Sequence, residues 1–176
     1  VATAIRAALT SPNFLYRSVE EGQLDQFALA SRLSFFIWGS SPDSQLLNLA
    51  AEGKLHDPQV FEEQTRRLIK SSKSQYLTER FTGQWLGVDK IDFITTDERV
   101  IKNFTNTLRD DFKVETRMLF TEILKDNRPV EDFIDPDFTY LSKESNEKIY
   151  KSKHQVGIDV QRVEIDRGTR FGGILT

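Results

Sequence analysis

The sequence predicts an all-α fold, a single-domain helical bundle with a small C-terminal β-hairpin, and three observations carry that reading. Apolar residues recur at helical spacing through most of the chain. Pro and Gly fall where helices would start and stop. Alternation of the strand kind is confined to the stretch beyond Gly157. With 38% hydrophobic and 29% charged residues, and 13 Phe among 176, the chain can fill one core and is too apolar for a disordered segment.

Val1 opens inside VATAIRAAL, a helical pattern with neither an initiator Met nor a cap, which suggests a piece of a longer chain. Ser11-Pro12, Ser41-Pro42 and Asp57-Pro58 each set a side-chain oxygen before a Pro tolerated at the first helical position, so each predicts a helix start. Leu24 to Trp38 is apolar on nearly every face, which predicts a central helix surrounded by others and ended by Gly39. Asp43 to Glu52 reads as a short helix stopped at Gly53, and Asp57 caps a helix running through Ile69. In Tyr76 to Leu86, the i, i+4 series Leu77, Phe81, Trp85 forms one stripe closed by Gly87. Trp38 and Trp85 are both expected in the core.

The longest periodic segment, Asp97 to Lys125, carries Ile101, Phe104, Leu108, Phe112, Leu119 and Ile123 and predicts the longest helix. Arg128-Pro129 breaks it, Val130 to Ile134 allows one further turn, and Asp135-Pro136 stops that turn. Gln161 to Ile165 and Arg170 to Leu175, flanking Asp166-Arg167-Gly168, read as the two strands of the hairpin.

A net charge of −3 and a pI near 5.5 argue against a nucleic-acid partner, and Lys148, Lys151, Lys153 and His154 are interrupted by Glu144 and Glu147 as in a solvated turn. With zero Cys the chain has no disulfide, no thiolate metal site and no covalent haem attachment of its own. No apolar run approaches the roughly 20 residues of a membrane span. His56 and His154 lie far apart and outside any two-ligand helical spacing, so no metal site is assigned to them. Asp132, Asp135 and Asp137 resemble the start of a calcium loop. The loop then fails, because Tyr140 stands where Gly is needed and Asn146 where a bidentate Glu is needed, so the three are read as turn and cap carboxylates. No nucleophile elbow, phosphate loop or dinucleotide fingerprint is present, and no catalytic, cofactor-binding or metal residue is assigned.

One polar pair stands out. Glu115 falls on the apolar stripe between Phe112 and Leu119, and Arg32 lies inside the apolar Leu24 to Trp38 segment. A buried charge needs a partner, because leaving one unpaired costs several kcal/mol. The sequence therefore predicts a structural ion pair of Arg32 with Glu115, or with Asp43 as second choice.

The strings SPNFLYR (Ser11 to Arg17), LASRLSFFIWGSSPDSQLLNLAAEGKLHDP (Leu29 to Pro58), FTGQWLGVDKID (Phe81 to Asp92), ETRMLFTEIL (Glu115 to Leu124) and DFTYL (Asp137 to Leu141) resemble a planctomycete-specific domain family of unknown function. The resemblance implies that residues 1–20 are the tail of a preceding helical domain packed on the core, 21–156 the main helical domain, and 157–176 the start of a following domain. It implies a large extracytoplasmic protein in which such domains sit beside cytochrome-c-like modules, with haem c held in other domains and no cofactor in this chain. The expected function is a non-catalytic scaffold that positions a neighbouring haem domain of the same polypeptide. The alternatives are part of an oxidoreductase or polysaccharide-processing enzyme, or a surface-interaction domain.

Overall fold

In a computed structural model of the chain, residues 2–12, 22–97, 99, 101, 104–168 and 173–174 are described. The order is α1 (Ala2–Leu9), α2 (Gln26–Trp38), α3 (Ser44–Ala51), α4 (Pro58–Lys70), α5 (Gln75–Phe81), α6 (Asn106–Lys125), β1 (Phe138–Leu141), α7 (Lys143–Ser145) and β2 (Gln161–Glu164). A π-helical turn, Thr82–Leu86, extends α5, and another, Asn146–Tyr150, extends α7; Ser72–Ser74, Val88–Phe93 and Val130–Phe133 are 3-10 turns. The fold is mostly helical with one small antiparallel sheet. No helix among the described residues is long and apolar enough to cross a membrane.

Side-chain oxygens set the helix starts. Asp25 accepts from the amides of Phe27 and Ala28 at the head of α2, Asp57 from those of Gln59 and Val60 at the head of α4, and Thr105 from that of Leu108 at the head of α6. Two expectations shift here. Asp43, rather than Ser41-Pro42, caps α3, accepting from the Leu46 amide. The long helix begins at Asn106 rather than near Asp97, because the Asp97 carboxylate turns onto Arg99 and the cap falls to Thr105. The helix expected from Ser11-Pro12 lies almost wholly outside the described residues. Gly39 ends α2 at φ 64°, a left-handed backbone that a side chain would strain.

Two cores result. The first gathers Ala30, Leu33, Ile37 and Trp38 of α2 with Leu46 and Ala50 of α3, Leu55, Leu68 of α4 and Leu77 of α5. Trp38 is buried there, its indole N–H donating to Leu68 O at 2.9 Å, with Lys73 Nζ 4.7 Å from the ring centroid. The second sets Leu119 and Ile123 of α6 against Phe138 and Tyr140 of β1. Leu124, also on α6, packs against the first core, so this helix joins the two. Among the described residues α2 is not surrounded as predicted. Its buried arc is Ala30, Leu33, Ser34, Ile37 and Trp38, while Phe27, Phe35 and Phe36 are exposed. α1 buries none of its residues, and residues 13–20 of the tail expected to pack on the core lie outside the described residues.

β2 lies within the predicted Gln161 to Ile165 strand, but its partner is β1, in the register Phe138↔Glu164 through Leu141↔Gln161. Most of Arg170 to Leu175, the expected partner, lies outside the described residues. All four residues of β1 are buried, because α6 covers it and β2 flanks it.

Ahead of β1, Asp132 is 0% exposed and holds Arg128 Nε at 2.5 Å and Arg167 Nη2 at 2.7 Å. Burial pushes its acidity down, and the two guanidiniums outweigh that, leaving its pKa below the usual value. Arg128 also reaches Asp137 and lies 4.6 Å from the Phe138 ring centroid. Replacing Asp132 with Ala strips two cations of a buried partner and is expected to cost about 3 kcal/mol in urea unfolding. Asp137→Ala, at a side chain 47% exposed, is expected to cost less than about 1 kcal/mol in the same assay. Equal costs would contradict this account of how the sheet is anchored.

Candidate functional site

Asp111 and Glu115 stand one turn apart on α6, on the face that α7 covers. Ser142 caps α7, and Ser142 with Ser145 form a reciprocal box: the Ser145 amide donates to Ser142 Oγ, and the Ser142 amide to Ser145 Oγ, both at 3.0 Å. Ser142 Oγ donates to Asp111, Ser145 Oγ to Glu115 Oε1, and Tyr150 OH to Glu115 Oε2 at 3.2 Å. Glu115 is 6% exposed, and Ser145 and Tyr150 meet it with hydroxyls rather than cations. Burial lifts its pKa to about 7; the Ser145 and Tyr150 hydroxyls and the Ser142 backbone oppose the rise, and the nearby Asp111 charge adds to it. The Tyr150 hydroxyl is raised as well, by burial and then by the Glu115 charge.

The predicted ion pair of Arg32 with Glu115 or Asp43 is not formed. Arg32 is exposed on the outer arc of α2, beside Phe36. Asp43 is taken by Arg67 of α4, which meets it with two nitrogens at 2.6 and 3.1 Å. That hydrogen bonding holds the Asp43 carboxyl below its ordinary range against a smaller burial effect. Glu115 found hydroxyls instead. A sequence signal for them existed: Asp111 and Glu115 share a helical face, and Ser142 and Ser145 have cap-box spacing.

An open groove of about 540 Å³ runs between α5 and α6, in the size range of small-molecule sites. Gln75, Thr78, Glu79, Arg117, Thr121 and Glu122 are among its lining residues. Most of these groups are held by one another. Gln75 donates to Glu79 at 2.8 Å, Thr121 to Thr78 at 3.2 Å, Arg117 to Asp89 at 2.8 Å, and Tyr140 OH to Glu122 at 2.6 Å. Arg162 Nε adds two contacts to Glu122 at 3.0 Å. The Tyr140 hydroxyl is raised by burial and by that carboxylate. Arg117 Nε is buried without a partner.

The remaining candidates are dispersed. His56 Nε2 lies 2.8 Å from Leu24 O, and His154 is exposed, its carbonyl accepting from Asn146. Among the described residues no three His, Cys, Asp or Glu side chains gather as a metal site requires. Asp132 and Asp137 serve arginines, and Asp135 accepts from the Gly168 amide. Trp85 corrects the expectation of a core residue: it is 57% exposed, stacked on Phe81 at 5.1 Å between centroids. The π-helical turn that carries it widens the helix and turns it off the predicted stripe.

The model of the family described as PSD4, protein of unknown function (DUF1592), matches residues 24–151. No curated protein matches the chain, and no solved structure does.

The Glu115 environment sets a pH dependence. Its folded pKa, about 7, lies above the value near 4.5 of an unfolded chain, so between these two the folded state holds more protons and stability falls as pH rises. The loss is on the order of 3 kcal/mol, complete above about pH 8. Urea midpoints measured across this window should decline in the natural protein, and Glu115→Gln should remove most of the decline. An unchanged decline in the variant would assign it elsewhere.

Proposed function

We propose, from the premise that the chain belongs to the PSD4 family of proteins of unknown function, that it is a non-catalytic helical scaffold domain. It docks neighbouring domains of its own polypeptide and positions a c-type haem domain among them. By resemblance the parent is a large exported planctomycete protein, the location extracytoplasmic, and the haem c lies in other domains.

One observation carries this reading: large aromatic side chains stand exposed while the buried ionisable groups are engaged internally. Phe36 is 64% exposed, Trp85 57% and Phe93 87%. Exposed aromatic side chains of this size favour contact with another protein surface. Asp132 and Glu115, by contrast, spend their hydrogen-bonding capacity on groups within the bundle.

A second reading, that the domain forms one wall of an oxidoreductase or polysaccharide-processing site, has the groove between α5 and α6 in its favour. Most of the groove's polar groups satisfy one another, which suits a wall better than a reacting centre.

The full-length protein should show a visible haem c band that sharpens on reduction. Phe36→Ser with Trp85→Ser should leave that band in place and speed limited proteolysis between domains several-fold. Absence of the band removes the haem partner from the proposal. An unaltered proteolysis rate removes the aromatic docking faces.

A further inference from the structure

β2 is hydrogen-bonded to β1 along one edge. The Ile165 amide donates to Asp137 O at 3.0 Å, and in the register Phe138↔Glu164 through Leu141↔Gln161 this makes Asp137 and Ile165 a hydrogen-bonded pair. Such pairs alternate along an antiparallel ladder. Gln161 and Val163 therefore turn their backbone groups to β1, while those of Arg162 and Glu164 face away from it. Among the described residues no strand meets that outer edge, and Arg162 and Glu164 are exposed. The unpaired N–H and C=O groups of an edge strand are a template for another strand.

The order of side chains selects the strand that fits. With Val163 set against Val163 of a second copy running antiparallel, Arg162 of each copy lies opposite Glu164 of the other. These are the residues whose backbone groups point outward, so each opposed Arg–Glu pair is also a hydrogen-bonded pair. The two-fold axis repeats the backbone bonds and the charge pair on either side of Val163. A shift of two residues in either direction sets Arg162 against Arg162 or Glu164 against Glu164, which repels. Edges that resist pairing carry Pro, bulges or a run of lysines. This edge carries one charge of each sign in a self-complementary order.

The surroundings of the strand accommodate the pairing. Arg162 and Glu164 stand opposite Tyr140 and Phe138, which pack on Leu119 and Ile123, so their side chains lie on the α6 face of the sheet. There Arg162 reaches both Glu122 and Glu164, and the Glu164 side chain, 72% exposed, is free to turn toward the other copy. A two-fold axis normal to the sheet puts both copies of α6 on this face, each over its own β1. The two β1 strands are then three strand spacings apart, about 14 Å, which is wider than the roughly 8–10 Å at which helices pack. The helices do not collide, and the Arg162 and Glu164 side chains fill the space between them.

We propose that β2 is a self-association edge: two copies of the chain join β2 to β2, antiparallel about Val163, in a continuous sheet of order β1, β2, β2, β1. The contact is short, so the dimer forms at high protein concentration and not at trace levels. It does not depend on the domain having a haem neighbour.

Sedimentation equilibrium of the full-length protein between about 1 µM and about 1 mM should show the mass rise from monomer toward dimer. Glu164→Arg sets arginines opposite each other and Arg162→Glu sets glutamates, so each variant alone should have a dimer dissociation constant raised about tenfold or more. An equimolar mixture of the two restores opposite charges and should dimerise as the natural protein does. A natural protein that stays monomeric throughout, or a mixture no better than either variant, overturns the proposal. So does a monomer whose Arg162 and Glu164 amides are protected from hydrogen exchange, because another strand of the polypeptide then holds the edge. Arg162→Glu also gives up the Glu122 contact, and should it fail to fold, Val163→Cys decides. Residues opposed in a non-hydrogen-bonded pair have Cα atoms about 4.5 Å apart, within disulfide reach, so oxidation should link two copies of the peptide carrying that substitution. Gln161→Cys, two positions off the axis, should not link. Absence of the linked peptide from Val163→Cys, or an equal yield from Gln161→Cys, overturns the pairing.

Discussion

Helix α6 has to be covered on several sides at once, and the rest of the fold is arranged around that requirement. Leu124 faces the first core, and Leu119 and Ile123 face β1 in the second. On a further face, Arg109, Lys113 and Arg117 recur every four residues and hold the Val88–Phe93 turn through Ile91 O, Asp92 and Asp89. A helix used this way leaves little of its surface to water. Asp111 and Glu115 fall on the face toward α7 and β1, so their carboxyl groups meet protein and not solvent.

The two buried acids resolve the same difficulty by opposite means. Asp132 is fully buried, and its environment supplies two guanidiniums, which keep it ionised and bind the turn before β1 to the loop after β2. Glu115 is met by two hydroxyls, which favour its charged form but are outweighed by burial, so its pKa is raised. The first arrangement is indifferent to pH near neutrality and fixes geometry. The second costs stability in its charged form, which makes it sensitive to conditions. Both lie around β1, so the small sheet joins a rigid anchor to a labile one.

The helical class and most helix positions were legible because they depend on local signals: the Asp57-Pro58 cap, the Gly39 stop and the apolar period of α6 act within a few residues. What was not legible depends on tertiary partners. β1 is a short run that pairs with β2 across the α7 turn, and nothing local announces that pairing. At the candidate site, Glu115 was recognisable as a buried acid on an apolar stripe, but its partners were not. Ion-pair reasoning looked for a cation and chose Arg32, because α2 looked apolar all round. In the structure Arg32 sits on the solvent arc and needs no carboxylate. Asp43 went to Arg67 because α4 brings that guanidinium beside the α3 cap.

That misreading of α2 is itself informative. A helix apolar on nearly every face belongs to an interior, yet the described residues cover only the arc of Ala30, Leu33, Ile37 and Trp38. A solvent-facing arc under no other demand would tolerate Lys, Glu or Gln at position 36, with better helix propensity than Phe. Phe36 there, and Trp85 on Phe81 across a π-helical turn, are poorly explained by the packing of the described residues alone. They are explained if the surface that completes these faces belongs to a neighbour, and the features least needed for folding are then the ones most informative about what the domain does.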